Sequence, residues 1–213
     1  MEHLIHKTIQ YNLSRPVGFA PHRKYPLVIY VHGAGGRGHD PANIGYSYML
    51  ERYMEDHELA VMVAAPLCEF DNWYMCFTEL VDFIRFAATM DNVDPDRVYL
   101  MGASMGGYAT WAMLMSVPEL FAAAVPICGG GMAWNAYRIK YIPVWTFHGM
   151  VDGTVDVSES IRMADALRVS GGDVKITLLP GVGHNAWEPA MYEYHAIEWL
   201  LTHTRSGKGT GEG

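Results

Sequence analysis

Basic side chains are scarce in this sequence. Its 213 residues include 15 Lys and Arg against 23 Asp and Glu, a formal net charge of −8. Nucleic-acid binding needs clustered Lys and Arg to meet the phosphates, so the charge argues against that class of partner. The negative balance reads as a solvated acidic surface. Cysteine is rarer still, with three residues, too few for a disulfide framework. Cys68 and Cys76 are close enough in sequence to pair in an exported protein, but two free thiols are the expectation. Cys128 follows an apolar run and reads as a buried small hydrophobe. No cysteine pair has zinc-ligand spacing with a histidine pair to match. No apolar run reaches the roughly 18 residues that a membrane-crossing helix needs. Met1 to Lys7 lack the apolar stretch of a signal peptide. A cytoplasmic protein is the default expectation, and a secreted one if the chain is cut from a longer protein.

The sequence is rich in apolar residues. Half the chain is hydrophobic and 18% is charged, which suits one α/β domain with buried strands. That domain is expected over residues 1–204. The glycine-rich stretch at 205–213 reads as a flexible tail outside the fold.

The chain is organised around residues 97–108. An apolar β-forming run, Arg97 to Met101, leads into Gly102-Ala103-Ser104-Met105-Gly106, and a helix-forming run, Tyr108 to Val117, follows. Gly-x-Ser-x-Gly is common by chance. Between a strand and a helix it has the context of a nucleophile elbow. The turn is too tight for side chains two positions either side of the serine, a demand that Gly102 and Gly106 meet. Ser104 would stand above the sheet edge, at the positive end of the helix.

The rest of the chain alternates strands and helices. His3 to Leu13 reads as one edge strand, Pro26 to Val31 and Ala60 to Ala65 as buried strands, and Tyr46 to Glu58 and Phe77 to Met90 as helices. Leu80, Phe83, Ile84 and Ala87 share one face of the latter. Asp94 to Asp96 is a turn before the elbow strand. Further strands are expected at Ala122 to Ile127, Pro143 to Phe147 and Lys175 to Leu179. Helices are expected at Ser158 to Ser170, capped by Ser158 and stopped by Gly171, and at Pro189 to Leu201. This alternation means a mainly parallel sheet with helices on both faces, a three-layer sandwich. Ligands of such sheets bind at the carboxyl ends of the strands.

Ser104, Asp152, His184 and Ala34 all fall at such ends. A serine hydroxyl needs an adjacent base, a histidine can serve at neutral pH, and a carboxylate must hold that histidine's tautomer. Ser104, Asp152 and His184 occur in the chain order of the α/β-hydrolases. The tetrahedral oxyanion needs two fixed donors, for which the backbone N–H groups of Ala34 and Met105 are placed. Asp156 is an alternative acid, four residues further from its strand, and His195 an alternative base, within the last expected helix. His32 and His148 read as structural histidines bonded to backbone. Trp73, Trp134 and Trp187 lie in loops near the expected site; each alone reads as packing, and together they suggest an aromatic cleft.

Taken together, Tyr25 to Gly36, Asp94 to Tyr99, Gly102 to Gly107, His148-Gly149 with Asp152, and Gly181 to His184 with Trp187 resemble the α/β-hydrolase superfamily. Within it they are similar to compact bacterial esterases of the phospholipase/carboxylesterase and peptidase group, related to feruloyl esterases and polyhydroxybutyrate depolymerase-like proteins. The resemblance implies Ser104 as nucleophile, Asp152 as acid, His184 as base, and Ala34 and Met105 as oxyanion donors. It implies no metal and no organic cofactor. Asn185 stands where Asp is more usual in such proteins, and no insertion is long enough for a cap domain. An open site implies small or exposed acyl esters, including feruloyl or acetyl groups on plant polysaccharide. A peptidase or thioesterase of the same fold, and a binding module without catalysis, are the alternatives.

Overall fold

The computed structural model describes residues 1–205, so the expected tail lies outside the described residues from position 206 onward. An eight-stranded sheet has the order β1-β2-β4-β3-β5-β6-β7-β8. β1 (Glu2–His6) and β2 (Ile9–Ser14) form an antiparallel hairpin, and β2 runs antiparallel to β4 (Met62–Pro66). From β4 through β3 (Tyr25–Val31), β5 (Val93–Ala103), β6 (Ala123–Ile127), β7 (Val144–Gly149) and β8 (Val174–Leu179) all pairings are parallel.

β3 shows why the sheet must be covered twice. Leu27, Ile29 and Val31 enter one core, while Val28 and Tyr30 enter the other. The period of two sends alternate side chains to opposite faces. The first core is closed by α2 (Phe77–Ala88), α3 (Met105–Ser116) and α4 (Ser158–Val169), the second by α1 (Gly45–Asp56), α5 (Trp187–Tyr192) and α6 (Ala196–Leu201). The expected apolar face of α2, Leu80, Phe83, Ile84 and Ala87, is fully buried. Each such large side chain contributes about 1.5–3 kcal/mol on leaving water.

Four local expectations are corrected. The single edge strand is a hairpin, because the chain reverses at Lys7 with φ 53°. The expected turn at Asp94–Asp96 is a bulge inside β5, where Tyr25 pairs with Val93 and Leu27 with Val98. Ser158 does not cap α4. It is the first helical residue, and the Asp156 carboxylate accepts its N–H at 2.8 Å. Gly171 does end that helix, with φ 79°; Gly171 N–H bonds Arg168 O and Gly172 N–H bonds Leu167 O. The last helix is two helices, parted at His195, whose backbone is left-handed at φ 52°. The kink lets Ala190 and Met191 on one piece and Ile197 and Leu200 on the other reach the same core.

Candidate active site

Four strand ends meet at the carboxyl edge of the sheet. β3 delivers His32 to Ala34, β5 delivers Ser104, β7 leads to Asp152, and β8 leads to the turn before His184. Ser104 has φ 58° and ψ −120°, a conformation that costs a non-glycine residue free energy and that the surroundings must hold. A Cβ on Gly106 would overlap the carbonyls of Val31 and His32. One on Gly102 would stand 2.5 Å from Gly106 O and 2.6 Å from Thr110 Oγ1. The strand and helix therefore approach as closely as an elbow requires.

Ser104 Oγ lies 2.8 Å from His184 Nε2, and His184 Nδ1 lies 2.7 Å from Asp152 Oδ2. The Asp152 side chain is fully buried, and its Oδ1 accepts the N–H groups of Thr154 at 2.8 Å and Val155 at 3.0 Å. Burial alone would raise its pKa. The bond from His184 and the two N–H groups outweigh that and hold the carboxyl below its ordinary value. Asp152 is thus ionised where a carboxylate is needed to orient an imidazole.

Asp156 is spent on the start of α4 and His195 on the start of α6, so neither enters this arrangement. His148 is buried, with Nδ1 2.8 Å from Ser160 Oγ and Nε2 3.0 Å from Val155 O. His32 donates from Nδ1 to Gly33 O at 2.7 Å and accepts Cys68 N–H on Nε2 at 3.0 Å. Burial, helped by the Arg37 charge and opposed by the Gly33 bond, pushes its pKa down to about 4. A neutral ring therefore pins the Gly33–Gly36 turn to the loop after β4.

The N–H groups of Ala34 and Met105 each open a helical turn, so neither finds a carbonyl within that turn. Ala34 lines a cleft of about 460 Å³ together with Tyr30, Asn43, Ser104, His184 and Trp187. The Trp187 ring stands edge-on to His184, 5.5 Å between centroids at 89°.

Trp73 and Trp134 do not line that cleft. Trp73 is 1% exposed, its indole N–H bonds His32 O at 3.0 Å, and it braces the turn from beneath. Its place in a loop hid a core position. Trp134 is 77% exposed on the 3-10 stretch Ala133–Ile139.

All three cysteines are buried free thiols, and the Sγ atoms of Cys68 and Cys76 are 3.8 Å apart. Cys128 Sγ donates to His184 O at 3.4 Å, and burial pushes its pKa up to about 12, so it stays a thiol. Asn43, Thr154 and Tyr30 complete the cleft, and sequence reasoning did not find them. No motif marks the first two, and Tyr30 reads only as part of a buried strand. Among the described residues, the segments that follow these strands carry short 3-10 turns and the covering α-helices.

Comparison with known proteins points to the same fold. A solved structure described as a thermostable esterase superposes with a TM-score of 0.79 at 35% identity, covering 92% of this chain and 60% of that one. The chain has the α/β-hydrolase fold. This α/β-hydrolase is also similar to a rice (Oryza sativa subsp. japonica) protein named Probable carboxylesterase, 18% identical over 91% of this chain and 83% of that protein. Acyl-protein thioesterase 1 of Neurospora crassa is 23% identical over 84% of this chain and 87% of that protein. The prolyl oligopeptidase family matches residues 68–139 of the α/β-hydrolase, a span that holds Ser104 but neither Asp152 nor His184. The chain spans 60% of the length of the thermostable esterase.

Proposed function

We propose that this α/β-hydrolase cleaves carboxylic esters of short or exposed acyl groups through an acyl-enzyme on Ser104. The observation that carries this reading is the pair of short contacts from Ser104 to His184 and from His184 to Asp152 at the mouth of an open cleft. Ser104 Oγ attacks the ester carbonyl as its proton passes to His184 Nε2. The carbonyl oxygen becomes an oxyanion held by the N–H groups of Ala34 and Met105. The tetrahedral intermediate collapses, and the alkoxide leaves with the proton from His184. Water then gives a proton to His184 and attacks the acyl group, and Ser104 recovers its hydroxyl as the acid departs. Asp152 stays ionised throughout and stabilises the imidazolium.

An uncovered cleft of about 460 Å³ suits acyl groups on a larger carrier, including acetyl or feruloyl groups on plant polysaccharide. A thioesterase reading has its own support in the likeness to acyl-protein thioesterase 1, since the same atoms serve a thioester carbonyl. The test is a panel of p-nitrophenyl acyl esters of rising length, acyl thioesters, acetyl-xylan, feruloyl esters and aminoacyl anilides. Turnover of short acyl esters above the others is expected. Turnover confined to the anilides would replace the esterase by a peptidase.

A further inference from the structure

Away from the cleft, three potential metal ligands converge from distant parts of the chain. His57 ends α1, His195 precedes α6, and Glu198 lies in the first turn of α6. One ligand atom from each lies within 4.8 Å of the other two. None of the three lines the cleft.

The histidines are held as metal-bound histidines commonly are, with one nitrogen backed by a protein acceptor. His57 donates from Nδ1 to Tyr53 O at 2.9 Å and stacks on the Tyr53 ring, 4.0 Å between centroids. Its Nε2 keeps a lone pair. Tyr53 Oη gives its single proton to the Glu198 carboxylate, 2.8 and 2.9 Å from the two oxygens. The same hydroxyl lies 3.1 Å from His195 Nδ1, which also stands 3.6 Å from Glu198 Oε1. Tyr53 itself is completely buried, so the residue that orders all three ligands is fixed by the core.

His195 stands at the break between α5 and α6, and its left-handed backbone sets the ring beside the first turn of α6. Both imidazoles face solvent, and the Glu198 side chain is one-third exposed, so an ion has access.

We propose that His57, His195 and Glu198 form a solvent-facing site for a borderline divalent cation of the zinc class. Two neutral imidazoles and one carboxylate are the nitrogen and oxygen donors that zinc accepts, with water completing the shell. Calcium and magnesium demand more oxygen ligands than the cluster supplies. Occupancy ties the end of α1 to the start of α6, whose ligands lie about 140 residues apart in sequence. The site does not depend on the esterase reading.

The test is zinc titration of the whole protein by calorimetry, with thermal melting as a second readout, in the parent, His57→Gln, His195→Asn and His184→Gln. Asparagine tolerates the left-handed backbone at 195. The His184 variant accounts for zinc taken up beside Cys128 and Asp152, where ligand atoms also lie close together. A zinc equivalent whose affinity falls at least tenfold in His57→Gln and His195→Asn and persists in His184→Gln is expected, with a zinc-induced rise in Tm lost in the first two. Equal affinity in the parent and His57→Gln, zinc lost only with His184, or no uptake by the parent would each overturn the site.

Discussion

His148 Nε2 stands 3.3 Å from Oδ2 of Asp152, the same oxygen that faces His184. The acid of the proposed triad therefore has a histidine on each side, and the second one is wholly buried. Ser160 Oγ lies 2.8 Å from His148 Nδ1 and donates to Gly129 O at 2.9 Å. This chain of contacts connects Asp152 through His148 and Ser160 to the loop after β6. His148→Phe should break it, removing the ring from the Val155 carbonyl and leaving Ser160 with Gly129 O alone. A stability loss of about 1–3 kcal/mol is expected from the unmade bonds, with kcat/KM reduced by about a hundredfold as Asp152 shifts. Thermal melts and ester kinetics measure the two effects. Unchanged kinetics would show that His148 does not position Asp152.

The two candidate carboxylates have different partners, and substitution should separate them. Asp152→Asn removes the charge beside His184 and should lower turnover by roughly 10⁴-fold, as where a triad acid has been neutralised. Asp156→Asn touches only a helix start and should leave turnover close to that of the parent. Kinetics and melting of both variants decide. An active Asp152→Asn enzyme would mean that Asp152 is not the acid.

The elbow depends on close backbone approach, so its glycines should differ from others nearby. Gly106→Val must push α3 away from β3 and should cost at least about 4 kcal/mol or prevent soluble expression. Gly35 has open space where a Cβ would be, so Gly35→Ala should leave the melting temperature nearly unchanged. Melting of the two variants, or their soluble yield, is the check. A Gly106→Val protein as stable as the parent would contradict the packing described here.

Much of this was legible from the residues. The apolar runs at β3 and β5 could only be buried strands, and glycines flanking Ser104 mark a turn that other residues cannot make. The edges were less legible. Lys7 and Thr8 reverse the chain without the Asn-Gly or Gly residues that usually announce a two-residue hairpin. The break at His195 falls between residues with no helix-stopping glycine, because tertiary packing of Ile197 and Leu200 decides it. Trp73 and Trp187 look alike in sequence, but one hydrogen-bonds a buried carbonyl and the other lines a cleft. Only the three-dimensional arrangement distinguishes them.

Acid should loosen the fold through His32. Its pKa is about 4 in the folded chain, below the ordinary value of roughly 6.5. Above about 6.5 the ring is neutral in both states and its full contribution to stability is present. As pH falls toward 4, the unfolded chain takes up a proton that the folded chain refuses, and about 3 kcal/mol is lost. Asp152, whose pKa is also lowered, adds to the loss as pH falls through its folded value. Melting temperature against pH should decline through this window. In His32→Gln the protein should be less stable at pH 7 but its slope shallower. Identical slopes would assign the acid sensitivity to other groups.

The central claim is that Ser104 is the nucleophile. Intact-mass spectrometry after treatment with a fluorophosphonate, on the parent and on Ser104→Ala, tests it most directly. The account predicts one adduct on the parent, mapped to Ser104, none on the variant, and a loss of turnover on the order of 10⁶ with the fold retained. Equal labelling of both proteins, or full ester hydrolysis by Ser104→Ala, would contradict it. A parent that takes no label and cleaves no ester would instead mark the chain as a binding module on a hydrolase fold.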